Sequence, residues 1–421
     1  MYPLIRMSVV LTIALVACLA TATAIAKTPV RLVTYGADTV FERWARIAEA
    51  FNASNDKYQL EVEIYPYAEY ISKVTVMILA GSPPDVMMTW AQYKPSWIEQ
   101  GMLLDVTPYW ERSPVAQKAK EEFFPFILEA AMSGGRYYGV PHDYSFMVWI
   151  LNADRLNSAG LPEPGATWTF SDFATYALRL TSPQQGVFGA SRAGHWSLSS
   201  YQWAVNANGQ GWLSDDRKQV LVNHPDHIAM LERWQELVTL GAVPQGSATP
   251  PAGDMWAGGY AMWEGWVHYG SRLVNSPYDW TMAAMPKGAA GNLSFAQGHM
   301  WSIPSNAPNP EASWALLEWM ISPEGQEKMV RVNGTQPMSA DPGLWSIFFE
   351  SVQPDKRAFL QRLVLDVIYG GSLIHNMNYW TQFNDVDRIV SRHLAQVFDL
   401  SVAPAAAMEQ AAAEIKAVMG L

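Results

Sequence analysis

The chain has 421 residues, of which 49% are hydrophobic, and it carries a formal net charge of −11 at pH 7. This length is sufficient for two domains with cores of their own, and the acidic balance excludes the basic surface with which proteins bind nucleic acid. A single cysteine, Cys18, excludes a framework of disulfides. We therefore expect a globular protein that has no nucleic-acid partner and is stabilised by its cores alone.

The first 26 residues show the pattern of a secretory signal peptide. Arg6 precedes an apolar run over residues 7–22, and residues 24–26 (AIA) provide a small-residue cleavage site. We expect cleavage there and export to the periplasm. Two alternatives are a membrane anchor formed by the apolar run and lipidation at Cys18, which ends a lipoprotein-like box at residues 15–18 (LVAC). Cleavage is favoured because no polar tether separates Cys18 from the first predicted strand.

The first part of the mature chain alternates strand and helix patterns. Strands are predicted at residues 30–34, 60–64 and 85–89, and helices over residues 40–51 and 69–80. This order predicts a parallel sheet with right-handed crossovers. Ligands of such sheets bind beyond the carboxyl ends of the strands, which here are the loops at residues 35–39 and 90–93.

Beyond residue 134 the chain is richer in helix signals. Strands are predicted at residues 144–151 and 278–285, and helices near residues 168–173 and over residues 225–239, 312–330 and 405–419. Residues 297–301 are expected to form a loop.

Three segments place Trp beside glycine or polar residues: residues 194–196 (GHW), 262–266 (MWEGW) and 378–380 (NYW). Flat rings beside hydrogen-bonding groups suit a ligand that has apolar faces and a polar rim, as a sugar has. The alternative interpretation is core packing, because Trp is highly buried on average.

Seven segments carry recognisable motifs in a fixed order. They lie at residues 80–86 (AGSPPDV), 99–105 (EQGMLLD), 135–141 (GRYYGVP), 152–161 (NADRLNSAGL), 259–266 (GYAMWEGW), 315–329 (ALLEWMISPEGQEKM) and 334–337 (GTQP). Each motif is short, but their order and spacing extend over nearly the whole mature chain. In this respect the chain resembles the family 1 extracellular solute-binding proteins, which serve ATP-driven sugar importers.

The resemblance implies an α/β fold of two lobes, the type II periplasmic-binding-protein fold, in which each lobe is an α/β sheet flanked by helices and hinge strands join the lobes. One lobe would hold residues 27–138 and 284–334, and the other residues 142–281 and 338–421. A carbohydrate would bind in the cleft between them, and hinge closure would enclose it. The membrane permease of an ABC importer would recognise the closed, monomeric protein, which would need no cofactor or metal.

The resemblance also implies which residues contact the ligand. The first lobe offers Tyr35, Asp38, Trp90 and Gln92; the crossing segment offers Asp143 and Tyr144; the second lobe offers His195, Trp196, Trp263, Glu264, Trp266 and Trp380; and His299 and Trp301 lie in the predicted loop. Trp266 is the principal candidate. The C–H face of a pyranose packs on such rings, and carboxylates accept charge-assisted hydrogen bonds from its hydroxyls. Helix capping is the alternative role for Asp38, and core packing is the alternative for Trp90 and Trp263.

Two other classes of function fit parts of the sequence. A secreted glycoside hydrolase would need two carboxylates about 5–10 Å apart across the bond; Asp143 and Glu264 could form such a pair, but no motif supports them. A metal site could use His224 and His227. The residues between these histidines are instead expected to begin a helix with both imidazoles exposed, so we expect neither an enzyme nor a metal site.

A receptor of the same fold for a polyol, a glycerophosphodiester or another small solute is a further alternative. A phosphate would require Arg or Lys in the cleft. The loops that offer ligand contacts hold aromatic and acidic residues but few cations. A neutral carbohydrate is therefore the favoured ligand.

Overall fold

The computed structural model describes residues 27–36, 38–192, 199–369, 373–374 and 379–421. The predicted signal peptide, including Cys18, lies outside these residues, and so do the predicted ligand contacts His195 and Trp196. Within the described ranges, no helix is both long enough and apolar enough to cross a membrane.

Strands and helices alternate along most of the chain. The strands are β1 (Thr28–Tyr35), β2 (Tyr58–Tyr65), β3 (Val86–Thr89), β4 (Met132–Ser133), β5 (Arg136–Tyr137), β6 (Val140–Asn152), β7 (Phe188–Ala190), β8 (Tyr260–Trp266), β9 (Trp280–Ala283), β10 (Ser294–Ser302) and β11 (Leu373–Ile374). The α-helices are α1 (Asp38–Ser54), α2 (Tyr67–Leu79), α3 (Lys94–Glu99), α4 (Thr107–Arg112), α5 (Pro114–Glu122), α6 (Pro125–Ala130), α7 (Ala153–Ser158), α8 (Phe170–Leu180), α9 (Ser199–Asn208), α10 (Pro225–Thr239), α11 (Pro310–Ile321), α12 (Pro323–Lys328), α13 (Pro342–Glu350), α14 (Arg357–Tyr369), α15 (Phe383–Phe398) and α16 (Pro404–Met419). Short 3₁₀ turns lie at Pro183–Gln185, Val267–Ser271, Leu273–Asn275 and Pro354–Lys356, and a π-helical turn at Met329–Asn333.

The sheet of the first lobe has the predicted parallel arrangement. β1 lies between β2 and β3, and Val33 of β1 is opposite both Glu63 of β2 and Met87 of β3. Every residue of β3 is buried, as in a strand with both faces covered. The carboxyl ends of β1 and β3 therefore reach the same edge of the sheet, and the loops that follow them lie side by side.

β6 connects the two lobes. Its first half pairs antiparallel with β10, and its second half pairs antiparallel with β8 and β9. Because β10 also pairs with β3, one sheet runs through both lobes in the order β2-β1-β3-β10-β6-β8-β7. All residues of β6 are buried except Asp143. β6 and β10 are thus the crossing strands of the fold.

Alternate residues of β6 enter two different hydrophobic clusters. Val148 and Ile150 pack in the cluster that includes the core of the first lobe, and Met147 and Trp149 pack in the cluster formed with α8, α10 and α15. Helices α13 and α14 belong to the first cluster, whereas α15 and α16 belong to the second. The segment from residue 338 to the end of the chain, predicted as part of one lobe, is therefore divided between two cores.

The helix predicted over residues 312–330 is broken in the middle. α11 ends at Ile321, and Ser322 caps α12 by accepting a hydrogen bond from the Gly325 N–H. Pro323 causes the break because it has no N–H to continue the ladder of hydrogen bonds. The π-helical turn then ends at Gly334, whose φ of 70° is left-handed. The chain leaves the helix at Gly334, and Gln336 follows two residues later.

The segment predicted as a loop at residues 297–301 is part of a strand. These residues belong to β10, which pairs with β6, as does β8 with residues 262–266. Glycine and polar residues at 297–301 indicated a loop. The pairing with a buried strand outweighs that local preference, as is common for strands.

Candidate functional site

A cavity of about 520 Å³ lies where the sheet passes from one lobe to the other. Its walls come from the ends of β1 and β3, from the crossing strands and from the end of β8. The lining residues are Thr34, Tyr35, Val40, Trp44, Tyr67, Met88, Trp90, Gln92, His142, Asp143, Tyr144, Ser145, Trp266, His268, Tyr269, Arg272, Gln297, His299, Asn333, Gly334, Thr335 and Gln336. The predicted location, beyond the carboxyl ends of parallel strands, is therefore occupied by a cavity that both lobes line.

Aromatic rings form the wall on the first-lobe side. Trp90 stacks on Tyr67, with ring centroids 4.6 Å apart and an angle of 20° between the planes. Tyr35 meets the edge of Trp90 at 5.2 Å. Burial raises the pKa of the Tyr35 hydroxyl, the carboxylate of Asp143 adds to this rise, and the phenol stays neutral. This wall is aromatic and uncharged.

Trp266 lies on the second-lobe side, at the last position of β8. It is partly buried and packs against both hydrophobic clusters, and its ring centroid is 6.1 Å from that of Phe295. The next turn brings Tyr269 and Arg272 to the cavity, and the Arg272 guanidinium lies 5.0 Å from the Tyr269 ring. Rings from the two lobes thus line the same cavity.

Asp143 lies among three histidines. The backbone N–H of His299 donates a hydrogen bond to its Oδ1 at 3.2 Å, and His142 Nε2 lies 3.8 Å from its Oδ2. Burial opposes ionisation of Asp143, but His142 and His299, with His268, hold its pKa below the usual range. Burial in turn lowers the pKa of His142 and His299, and lowers that of His268 to about 3. At neutral pH the site therefore presents one carboxylate among neutral imidazoles.

Two amide side chains span the crossing between β10 and the loop after β3. Gln297 Nε2 donates a hydrogen bond to Gln92 Oε1 at 3.2 Å. On the neighbouring strand, Ser145 Oγ lies 2.8 Å from His268 Nδ1. These side chains hold polar groups at fixed positions beside the rings, which is the arrangement that orients a polar ligand.

Several buried polar atoms on the cavity wall have no hydrogen-bond partner among the described residues. They are Thr34 Oγ1, Trp90 Nε1, Tyr144 OH and both amide atoms of Gln336. Buried polar groups in folded proteins are nearly always hydrogen-bonded. These atoms have almost no accessible surface, so a molecule in the cavity could pair with them only if the surrounding side chains moved.

The structure brings seven of the predicted contacts to the cavity wall: Tyr35, Trp90, Gln92, Asp143, Tyr144, Trp266 and His299. Asp38 is the first residue of α1, and its side chain lies outside the described part of the structure, as do all of His195 and Trp196. Contact between any of these residues and a ligand stays a prediction.

Two predicted contacts on β8 lie in the cores instead. Trp263 is fully buried, and its Nε1 donates a hydrogen bond to the Tyr278 hydroxyl at 3.2 Å. Glu264 is also fully buried, and its carboxylate accepts a hydrogen bond from Trp203 Nε1. Because successive side chains of a strand point to opposite faces, only the end of β8 reaches the cavity. The hydrolase pair of Asp143 and Glu264 does not face one cavity.

Trp301 is buried, and it lies beyond a shift of register between β10 and β6. His299 is opposite Asp143 but Met300 is opposite Pro141, so His142 is an extra residue in β6. Trp301 packs edge-on against Trp44 at 5.2 Å and donates a hydrogen bond to His142 Nδ1 at 2.9 Å. Trp301 therefore contacts Trp44 and His142, which line the cavity, but does not line it itself.

Trp380 lines a different cavity, of about 500 Å³, between α3, the β4–β5 hairpin and the segment before α15. The guanidinium of Arg217 lies 5.9 Å from its ring. Trp380 itself is buried and packs edge-on against Phe383 at 5.1 Å. Trp380 was predicted to line the same cleft as Trp266, but it lies outside the cavity that Trp266 lines.

The two histidines weighed as metal ligands have separate structural roles. His224 caps α10 by accepting a hydrogen bond from the Asp226 N–H. His227, expected to be exposed, is buried, and its Nδ1 donates a hydrogen bond to the Val222 carbonyl at 2.7 Å. Among the described residues, no group of three His, Cys, Asp or Glu side chains could hold a metal ion.

Sequence reasoning missed a set of lining residues on irregular segments. They are His268, Tyr269 and Arg272 on or between the 3₁₀ turns after β8, Asn333 at the end of the π-helical turn, and Thr335 and Gln336 beyond it. The motif at residues 334–337 marked the second segment. No periodicity marked either one, because neither is a regular strand or helix.

Comparisons with known proteins agree with this architecture. The model of the bacterial extracellular solute-binding protein family matches residues 38–327. A binding protein of Brucella abortus (strain 2308) is 21% identical over 332 residues, which cover 74% of this chain and 78% of that protein.

Two solved structures share the fold of the chain. An ABC substrate-binding protein of Listeria monocytogenes in complex with cycloalternan has a TM-score of 0.82 at 18% identity, covering 94% of this chain and 100% of that one. A solute-binding protein of Agrobacterium radiobacter K84 in complex with ribitol has a TM-score of 0.72 at 20% identity, covering 93% and 98%. Likeness at such identity shows the two-lobe α/β fold, and the family match covers more than half of the sequence. The chain belongs to the family of bacterial extracellular solute-binding proteins.

Proposed function

We propose that this protein is the periplasmic receptor of an ABC importer and captures a neutral carbohydrate in the cavity between its lobes. The observation that carries the proposal is the pairing of rings from both lobes, Trp90 and Trp266, with the carboxylate of Asp143 on the same cavity wall. Rings of this kind bury the C–H faces of a sugar, at about 25 cal/mol per Å² of apolar area. The carboxylate and the neighbouring amides then accept and donate hydrogen bonds at the hydroxyl rim.

Hinge closure follows from the crossing strands. β6 and β10 are the strands that pass through the cavity region, and Asp143 and His299 lie on them. A small bend of these strands would bring Trp266 towards Trp90 without disrupting either core. The closed form would then be the one that the permease of the importer recognises. The solved relatives that hold cycloalternan and ribitol support a carbohydrate or a polyol as the ligand class.

One observation favours a second candidate, a small anionic solute such as a glycerophosphodiester. Arg272 lines the cavity, and no carboxylate among the described residues forms an ion pair with it. The carboxylate of Asp143 opposes this candidate, because an anionic ligand would share the cavity with it. The neutral carbohydrate remains the better match to the aromatic walls.

A thermal-shift screen of the mature protein over sugars, alditols and glycerophosphodiesters tests the proposal. A ligand at 100 times its dissociation constant stabilises the folded state by about 2.7 kcal/mol, which raises the melting temperature measurably. Stabilisation by a sugar is the expected result. Stabilisation by glycerophosphodiesters alone would identify the second candidate, and release of shorter sugars during incubation with oligosaccharides would indicate a hydrolase.

Replacement of Trp266 by Ala should weaken the binding of a carbohydrate about 10- to 100-fold, because a ring face is lost from the cavity wall. Isothermal titration calorimetry measures this change. Trp319→Ala is the matched control, because Trp319 is also partly buried and packs on Phe51 at 5.6 Å, away from the cavity. Equal affinities of Trp266→Ala and the parent protein would remove Trp266 from the site.

A further inference from the structure

Two imidazoles of the cavity wall accept hydrogen bonds from groups that can only donate. The indole Nε1–H of Trp301 donates to His142 Nδ1 at 2.9 Å, and the backbone N–H of Ala91, just after β3, donates to His299 Nδ1 at 3.4 Å. In a neutral imidazole one nitrogen carries the hydrogen and the other accepts. Both rings therefore carry their hydrogen on Nε2.

Two further observations support this assignment for His142. Trp301 is 1% exposed, so its N–H would lose its partner and find no water if His142 Nδ1 ceased to accept. On the other side of the ring, His142 Nε2 lies 3.8 Å from Asp143 Oδ2, where the carboxylate attracts an N–H and repels a lone pair. A tautomer with the hydrogen on Nδ1 would be unfavourable at both nitrogens.

The hydrogen bond to His299 is longer, but the Ala91 amide needs an acceptor there. Ala91 is buried, and a buried backbone N–H is nearly always paired. His299 is only partly buried and lines the cavity. No hydrogen bond joins its Nε2 to the described residues, and this nitrogen is not among their fully buried atoms without partners. The Nε2–H of His299 is therefore open to a ligand.

The third histidine of the cavity has no such fixed direction. His268 Nδ1 lies 2.8 Å from Ser145 Oγ, and a hydroxyl group both donates and accepts. This contact is compatible with either tautomer. The fixed direction therefore belongs to His142 and His299, whose partners are donors only.

The fixed tautomers decide which ligand groups fit beside Asp143. His299 and Asp143 are directly opposite in the pairing of β10 with β6, so an N–H donor and a carboxylate acceptor are neighbours. A ligand hydroxyl can accept from the first and donate to the second, whereas an ammonium group only donates. Aromatic walls beside a carboxylate would otherwise suit an ammonium group well. Arg272 also lines the cavity, and its charge repels a cation.

We infer that Trp301 is a positioning residue that fixes the tautomer of His142, as the Ala91 amide fixes that of His299, so that the polar side of the cavity takes hydroxyl groups and rejects ammonium groups. The part of this inference that concerns the ligand rests on the proposed function, because it assumes that the ligand binds in this cavity. The part that concerns the tautomers holds for the free protein.

NMR spectroscopy of the mature protein with isotope-labelled histidines tests the tautomers directly. Long-range proton–nitrogen spectra distinguish a ring that carries its hydrogen on Nδ1 from one that carries it on Nε2, and spectra of His142→Gln and His299→Gln identify the two signals. We expect the Nε2–H tautomer for both rings at neutral pH. A ring with its hydrogen on Nδ1 at either position would overturn the inference.

Trp301→Phe removes the indole N–H and keeps an aromatic ring against Trp44. His142 should then populate both tautomers, and its pKa should rise by about one pH unit, because a protonated Nδ1 no longer meets an N–H. Asp143 and His299, the titratable groups that face His142, are unchanged in this variant. An unaltered tautomer and pKa of His142 would overturn the role of Trp301.

Trp168→Phe is the matched control. Trp168 is buried, and its Nε1 donates a hydrogen bond to the Ala284 carbonyl at 2.7 Å, away from the cavity. This variant also loses one buried indole hydrogen bond, but it should keep the parent signals of His142 and His299. The parent spectrum tests the tautomers by itself, so the inference can be contradicted even if Trp301→Phe does not fold.

A thermal-shift assay with choline and spermidine tests the consequence for the ligand. We expect neither amine to raise the melting temperature of the parent protein. Stabilisation by either amine would overturn the rejection of ammonium groups. Wrong tautomers in a protein that sugars stabilise would overturn the inference alone, whereas fixed tautomers in a protein that no sugar stabilises would overturn the proposed function.

Discussion

The aromatic rings of the second-lobe core and those of the cavity differ in where they lie relative to the strands. In the core, Trp234 is surrounded by rings, with Trp203 at 5.1 Å and Phe173 at 5.2 Å, and it is fully buried. In the cavity, Trp90 directly follows the end of β3 and stacks on Tyr67 and Tyr70, and Trp266 is the last residue of β8. Both groups are rich in Trp, so the residue type does not separate them. The position of a ring relative to the end of its strand does.

The largest effect expected from this comparison is on stability. Trp234→Ala removes a ring from a closely packed core and should lower the free energy of unfolding by about 3–5 kcal/mol. Its affinity for the ligand should not change while the protein stays folded, because Trp234 does not line the cavity. Urea denaturation and calorimetry measure the two quantities. If Trp234→Ala kept its stability but lost affinity for the ligand, Trp234 would belong with the ligand-binding rings and not with the core.

The next largest effect is the dependence of folding stability on pH, to which buried histidines in both regions contribute. Burial lowers the pKa of His227, in the core, from its ordinary value of 6.5 to about 4. The unfolded chain therefore binds a proton more readily than the folded protein between these values. The stability that His227 contributes is complete above pH 6.5 and is lost as the pH falls towards 4, at a rate of about 1.4 kcal/mol per pH unit.

His227→Gln should flatten this dependence, because a Gln amide can still donate to the Val222 carbonyl and does not titrate. Urea denaturation between pH 7 and 5 measures the slope. His268→Gln, in the cavity, should flatten it as well and should also change ligand affinity, since His268 lines the site. An unchanged slope in His227→Gln would show that the pKa of His227 is the same in the folded and the unfolded protein.

The smallest effect is expected at Trp380, which was predicted in the site and lies on a different cavity. Trp380→Phe keeps a ring against Phe383 and should change ligand affinity by less than about twofold. Calorimetry with the same ligand as for Trp266→Ala gives the comparison. A tenfold loss would mean that the two cavities bind one extended ligand.

Regular elements were predictable from the sequence, and the direction of single side chains was not. The parallel arrangement of β1, β2 and β3 follows from the alternation of strand and helix segments along the chain, and α10 begins and ends at the predicted residues. These features depend on periodicity, which is local. Because ligand sites of parallel sheets lie beyond the carboxyl ends of strands, Tyr35 and Trp90 could be placed correctly from the order alone.

Other features depend on pairing between distant strands. One extra residue at His142 shifts β6 against β10, and Trp301 packs against Trp44 instead of lining the cavity. Gln336, which lines the cavity, follows a π-helical turn that ends at a left-handed glycine. Neither a bulge nor the exit from a turn has a repeating sequence pattern. The segments could therefore be identified from their motifs, but the directions of their side chains could not be predicted.

The continuity of β6 has a consequence for how the protein unfolds. One half of this strand is hydrogen-bonded to β10 and the other half to β8 and β9, and its alternate side chains enter both cores. Melting of either core would expose the same strand and would remove support from the other core. The two lobes are therefore expected to unfold in a single cooperative transition, and the slowest-exchanging amides of both should belong to β6 and its partners.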